Sequence, residues 1–264
     1  MQFLSINGHA IHYKYILNAS GNETDRTFVF INSLGTDFRI WDDVVEVVKA
    51  YGNVLLFDNR GHGLSDIVED TSSLNDFADD VIALMDHLSI SSVVLIGLSI
   101  GGMIAQILAS RIPQKIEKLV FCDTMYKIGT EQVWNERIAT VKEKGISAIS
   151  DGVMQRWFSA KFRQEQAVKV SAYKNMLERT SVQGYIKASE LIRDSDLEEI
   201  AAQIKIPALC IVGAEDGSTL PEHVKRLADI IEGARYEVIE SSGHIPCVDN
   251  PGALSKLIVE FISK

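Results

Sequence analysis

Four side chains in this sequence have the types and the order needed for nucleophilic catalysis. A serine stands between glycines in GLSIG (Gly97 to Gly101), a histidine in SSGHIP (His244), and two aspartates, Asp123 and Asp216, lie between them. A serine hydroxyl is a weak nucleophile until a base takes its proton, and imidazole is the usual base. A carboxylate then holds the imidazole tautomer and stabilises its positive form.

The elements that must position these groups follow from hydropathy. Val93 to Ile96 is a short aliphatic run suited to a strand buried on both faces, and from Ile100 the apolar residues recur at three- and four-residue spacing. Ser99 therefore sits on a strand-to-helix turn, where side chains at Gly97 and Gly101 would crowd their neighbours. The turn lifts the hydroxyl clear of the strand and leaves the Ile100 N–H at a helix N-terminus, free to hold an oxyanion. Chance alone produces Gly-x-Ser-x-Gly in about one chain in ten of this length, so the strand-to-helix setting carries the argument.

Six histidines could supply the base. His9 and His12 fall in an N-terminal hairpin and read as surface residues; His87 and His223 fall on amphipathic helices and read as solvated. His62, in the glycine turn RGHG, reads as structural. His244 follows the last strand and is assigned the base. Asp123 closes KLVFC and Asp216 closes CIVGAE, both at strand ends. Asp216, on the penultimate strand, is preferred, Asp123 stays open as the alternative, and Glu215 is expected to point away. The second oxyanion donor is expected from INSLGTDFRIWD (31–42), at the Leu34 N–H.

Strands are expected at 27–32, 54–58, 93–97, 118–123, 207–216 and 234–240, with helices at 72–90, 100–110, 220–231 and 254–262. This alternation predicts an α/β fold with a mostly parallel sheet covered on both faces. QFLSING followed by AIHYKYI predicts an edge hairpin turned at Asn7-Gly8. Residues 125–194 have helical periodicity without a strand, with Trp134, Ile138 and Val141 on one face. They are expected to form a helical cap inserted into a core of residues 1–124 and 195–264.

Composition narrows the function. Of 264 residues, 46% are hydrophobic, enough for a large core. The formal charge of −10 argues against a nucleic-acid partner, and no apolar run is long enough for a membrane span. Three scattered cysteines give no disulfide framework, and the first residues carry no signal-peptide pattern. A cytoplasmic protein is expected. No spacing of metal ligands is found.

Several stretches resemble the α/β-hydrolase superfamily and, within it, the 3-oxoadipate enol-lactonases. They are NSLGTDFRIW (32–41), DNRGHGLSD (58–66), GLSIGG (97–102), KIGTEQVWNERI (127–138), RWF (156–158) and SGHIPC (242–247). DNRGHG and the serine turn occur across many hydrolases; NSLGTD and the KIGT stretch are narrower. The resemblance spans residues 1 to 262 and implies an α/β-hydrolase fold that opens a small anionic enol-lactone to 3-oxoadipate, without metal or organic cofactor. One departure is Asn32-Ser33, where many relatives carry His-Gly. The substrate carboxylate then needs an arginine or an aromatic-lined polar pocket, and Arg137 and Trp134, one helical turn apart in the cap segment, are the substrate-binding candidates. A surface arginine beside a core tryptophan is the plainer alternative. Three competing functions use the same residues: a C–C bond hydrolase, a perhydrolase and a ligand receptor with a vestigial triad. Dehalogenases and epoxide hydrolases are disfavoured because their nucleophile is an aspartate where this chain has Ser99.

Overall fold

The computed structural model describes residues 1–18 and 26–264. Eight strands form one sheet: β1 (Gln2–Ile6), β2 (His9–Ile16), β3 (Arg26–Ile31), β4 (Asn53–Phe57), β5 (Ser92–Leu98), β6 (Ile116–Cys122), β7 (Ala208–Gly213) and β8 (Arg235–Ile239), in the order β1-β2-β4-β3-β5-β6-β7-β8. β1 and β2 pair antiparallel, β2 meets β4 antiparallel, and every later pairing is parallel. The first hairpin turns at Asn7 (φ 50°) and Gly8 (φ 89°), the left-handed pair that a tight hairpin demands. The expected α/β architecture is the observed one.

Twelve α-helices occur among the described residues: α1 (Asp42–Val48), α2 (Leu74–His87), α3 (Ile100–Arg111), α4 (Glu131–Lys144), α5 (Ser147–Trp157), α6 (Ala160–Glu165), α7 (Ala167–Glu178), α8 (Val182–Asp194), α9 (Glu198–Gln203), α10 (Pro221–Ile230), α11 (Pro246–Asp249) and α12 (Pro251–Ile262). Side-chain caps start several of them. Ser73 and Asp76 form a reciprocal capping box on α2, and Thr130 and Ser181 accept from the first turns of α4 and α8. Helices α4 to α8 fall in the segment between β6 and β7, and no strand is described there. Helices α1, α9 and α11 lie where no element was expected.

The central strands carry the core. Phe28 to Ile31 and Val93 to Ile96 are wholly buried, as their unbroken apolar runs require. The edge strand β8 is only partly covered.

Two histidines depart from expectation. His12 is buried, and its Nδ1 lies 2.8 Å from Asp58 Oδ2. His9 is half-buried with Nε2 3.1 Å from Asp80 Oδ1. His12 meets Asp58 in the glycine turn after β4, and His9 meets Asp80 on α2, so neither stands free on an open hairpin face. Their acidic partners lie 46 and 71 residues further along the chain, so local patterning carries no trace of the pairing. In the same turn Arg60 makes a buried, two-pronged ion pair with Asp80, each contact 2.8 Å. His62 Nδ1 lies 3.1 Å from the Arg60 carbonyl, in keeping with a structural place.

The turn from β5 into α3 is crowded as the sequence requires. A Cβ on Gly97 would overlap the Gly101 carbonyl, and one on Gly101 the Ile31 carbonyl. Backbone cannot yield as a side chain can. Gly97→Ala is therefore expected to cost about 1–3 kcal/mol in urea unfolding. An unchanged unfolding midpoint would contradict this packing.

Candidate active site

Ser99 occupies that turn with φ 58° and ψ −119°, a strained conformation for a residue with a side chain. Two contacts from outside α3 hold it. The Ser99 N–H donates to the Cys122 carbonyl at 3.0 Å, and Thr124 Oγ1 donates to the Ser99 carbonyl at 2.6 Å. The next residue, Ile100, opens α3, where the first N–H groups have no acceptor within the helix.

His244 and Asp216 are delivered together by the ends of β7 and β8. The Ala214 N–H donates to the Ile239 carbonyl at 3.0 Å, and the Glu215 N–H to the Ser242 carbonyl at 2.8 Å. A Cβ on Gly213 would collide with the Ser242 and Gly243 carbonyls, so glycine permits this approach. The result is a hydrogen bond of 2.9 Å between His244 Nδ1 and Asp216 Oδ2. An ionised carboxylate only accepts, so opposite one Nδ1 is the donor of this bond and Nε2 is left as the ring's other nitrogen.

Asp216 is itself tightly held. Its Oδ1 accepts from the Ser218 and Thr219 N–H groups at 2.7 and 3.2 Å, and its Oδ2 accepts from Thr219 Oγ1 at 2.6 Å. Thr219 was not foreseen, though a threonine three residues after a strand-end aspartate suits this turn. Glu215 is exposed and accepts from the Ala160 N–H at 2.8 Å, away from the imidazole as expected.

Asp123 lies close behind. It is wholly buried, with φ 46°, and its Oδ1 accepts from the Gly213 N–H at 2.8 Å. Burial first, and then the adjacent Asp216 charge, push its carboxyl well above the ordinary carboxylate range. An oxygen of each aspartate and a ring nitrogen of His244 lie within 4.8 Å of one another, the one cluster of metal-binding residue types among the described residues. A ring N–H already bonded to a carboxylate makes this a proton-handling group and a poor metal cage.

Ser99 and His244 line one cavity of about 290 Å³, together with Ser33, Leu34, Trp134, Arg137, Arg156 and Tyr185. The loop carrying Leu34 is set by Asn32, whose amide donates to the Phe57 carbonyl at 2.7 Å and accepts from the Trp41 indole at 2.9 Å. The departure at Asn32 thus serves the loop's shape. Trp134 is buried, its indole N–H committed to the Ile128 carbonyl at 2.7 Å, and its ring faces the Arg137 guanidinium at 4.8 Å.

Arg156, absent from the sequence-level candidates, faces the same space. Burial and then the like charge of Arg137 lower its pKa, and both guanidiniums oppose the burial-driven rise of the Tyr185 phenol. Neither arginine is in an ion pair with a carboxylate among the described residues. Two half-buried cations with that arrangement favour an anion between them. The clue to Arg156 was its place beside Trp157, on the buried edge of α5 one turn after Val153. The α5 end is tied to the histidine loop, since the His244 and Ile245 N–H groups donate to the Arg156 and Trp157 carbonyls at 3.2 and 3.1 Å.

Comparison with known proteins agrees with this architecture. Residues 26–251 match the family model described as the alpha/beta hydrolase fold. The chain is 32% identical to 3-oxoadipate enol-lactonase 2 of Acinetobacter baylyi, over 91% of this chain and 90% of that protein. It is 31% identical to 3-oxoadipate enol-lactonase 1 of the same organism, over 92% and 91%. The crystal structure of the enol-lactonase from Burkholderia xenovorans LB400 superposes with a TM-score of 0.94 at 33% identity, covering 100% of both chains. With the strained serine turn, the mostly parallel sheet and a family match across most of its length, this chain belongs to the α/β hydrolase fold family.

Proposed function

We propose that this hydrolase opens 3-oxoadipate enol-lactone to 3-oxoadipate, within the catabolism of aromatic compounds, using Ser99, His244 and Asp216. The observation that carries the reading is the placement of Arg137 and Arg156 on the cavity that Ser99 and His244 line. A lactone bearing an acetate group brings the anion those cations need. The similarity to enol-lactonases over nine-tenths of the chain supports the same substrate class.

In this mechanism His244 Nε2 takes the Ser99 proton as Oγ attacks the ring carbonyl. The Ile100 and Leu34 N–H groups hold the oxyanion. Collapse of the tetrahedral intermediate breaks the ring C–O bond, and the enolate released takes the proton from His244 and becomes a ketone while the acyl group stays on Ser99. Water, deprotonated by His244, then cleaves the acyl-enzyme and frees the carboxylate. Residues 125–194 act as a cap on the core formed by 1–124 and 195–264, with Trp134, Arg137 and Arg156 receiving the acetate. No cofactor enters any step.

The arginines provide the test. Arg137→Ala and Arg156→Ala are each expected to lower kcat/KM on the enol-lactone roughly ten- to a hundred-fold, the scale of a charge-assisted hydrogen bond in a shielded site. A neutral p-nitrophenyl ester should be affected far less. Equal losses on both substrates would separate the arginines from substrate recognition.

A further inference from the structure

Asp123 is a buried titratable group for which the mechanism above has no use. Its Oδ1 is satisfied by the Gly213 N–H, but its Oδ2 is buried without a hydrogen-bond partner among the described residues. A carboxylate oxygen of Asp123 lies within 4.8 Å of an Asp216 oxygen and a His244 ring nitrogen, so the two buried carboxyl groups are neighbours behind the imidazole. Leaving two ionised carboxylates side by side in so buried a place would be costly, and an acceptor-only oxygen would remain unsatisfied. A proton on Asp123 removes both costs.

We propose that Asp123 carries a proton at neutral pH and donates it to the Asp216 carboxylate, so that the pair presents one negative charge to His244. The inference rests on the triad assigned above and adds to it a positioning residue that touches neither substrate nor nucleophile. Its effect is on the base. Two charges behind the imidazole would hold it as imidazolium, unable to accept the Ser99 proton; one charge shared with a donor keeps the neutral ring accessible.

The other groups around Asp123 leave this balance intact. Cys122 adjoins it on β6, Cys210 lies on β7, Cys247 follows the histidine loop and Tyr236 lies on β8. Burial raises the pKa of all four, which keeps them neutral. Asp249 is the remaining carboxylate that acts on Asp123, and its charge also favours the proton.

Asp123→Asn discriminates between the charge states. The amide is a neutral donor of the same shape, can accept from the Gly213 N–H, and tolerates φ 46°. If Asp123 is protonated, the substitution is expected to lower kcat/KM by up to about tenfold through a weaker donor, with the acid limb of the pH profile unmoved. If Asp123 is ionised, removing its charge would shift that limb down by about one pH unit or more. Asp123→Ala, which removes the donor, is expected to move the limb up.

Infrared spectroscopy reads the proton without turnover, so it stands even if the assigned substrate is wrong. Wild-type protein labelled with carbon-13 in the aspartate carboxyl should give a protonated C=O band at pH 7 that is missing from Asp123→Asn. A downward shift of the acid limb in Asp123→Asn, or the absence of that band from the wild type, would overturn the proposal. Should neither variant fold, absence of the band from the labelled wild type still overturns the proposal.

Discussion

Ser99→Ala is expected to abolish hydrolysis while the protein stays folded. In a comparable triad, loss of the serine costs about a millionfold in kcat. The residual rate would come from the oxyanion donors and binding alone. The structure explains why stability should survive. The contacts that secure this turn are made by the Ser99 backbone, through its N–H to the Cys122 carbonyl and its own carbonyl from Thr124. Alanine keeps both, and at φ 58° it is no more strained than serine. Circular dichroism and thermal melting of the variant should match the wild type. A folded Ser99→Ala protein retaining a tenth or more of the lactonase rate, an estimate far above the residual expected without a nucleophile, would remove Ser99 from that role.

Asp216→Asn should be nearly as damaging, by a route visible in its hydrogen bonds. The Ser218 and Thr219 N–H groups both donate to Oδ1, so the asparagine carbonyl must stay at that position. Its NH2 then takes the place of Oδ2 and faces His244 Nδ1, which Asp216 Oδ2 now meets at 2.9 Å. Two donors cannot share that contact. The ring must give up its Nδ1 proton and carry it on Nε2, where it cannot accept from Ser99. The corresponding change in a related triad lowers kcat about ten-thousandfold with the geometry intact. The expected measurement is a collapse of kcat with little change in the unfolding midpoint. If Asp123→Asn instead proved the more severe of the two, the acid would belong on β6.

Much of this was legible in the sequence because it depends on local patterning. The alternation of apolar runs and helical stripes marks the sheet and its covering helices. The glycines around Ser99 and the Asn7-Gly8 turn advertise backbone that other residues could not follow. What was hidden depends on contacts across the chain. His12 reads as an edge residue until Asp58 is seen beneath it. Arg156 becomes a site residue because the histidine loop lies against the end of α5. Asp123 and Asp216 close neighbouring strands in equivalent ways, and sequence order allows either. The turn through Ser218 and Thr219 aims Asp216 at the imidazole, while Asp123 is drawn to the Gly213 N–H. Such differences lie in hydrogen-bond direction, which composition and spacing do not encode.

The enol-lactone itself provides the most direct test. Purified wild-type protein should open 3-oxoadipate enol-lactone with saturation, followed as loss of the lactone's ultraviolet absorbance. It should prefer that substrate to a neutral p-nitrophenyl ester, and Ser99→Ala should leave the absorbance unchanged. A protein that hydrolyses the neutral ester through Ser99 but leaves the lactone intact would contradict the proposed substrate while keeping the nucleophile.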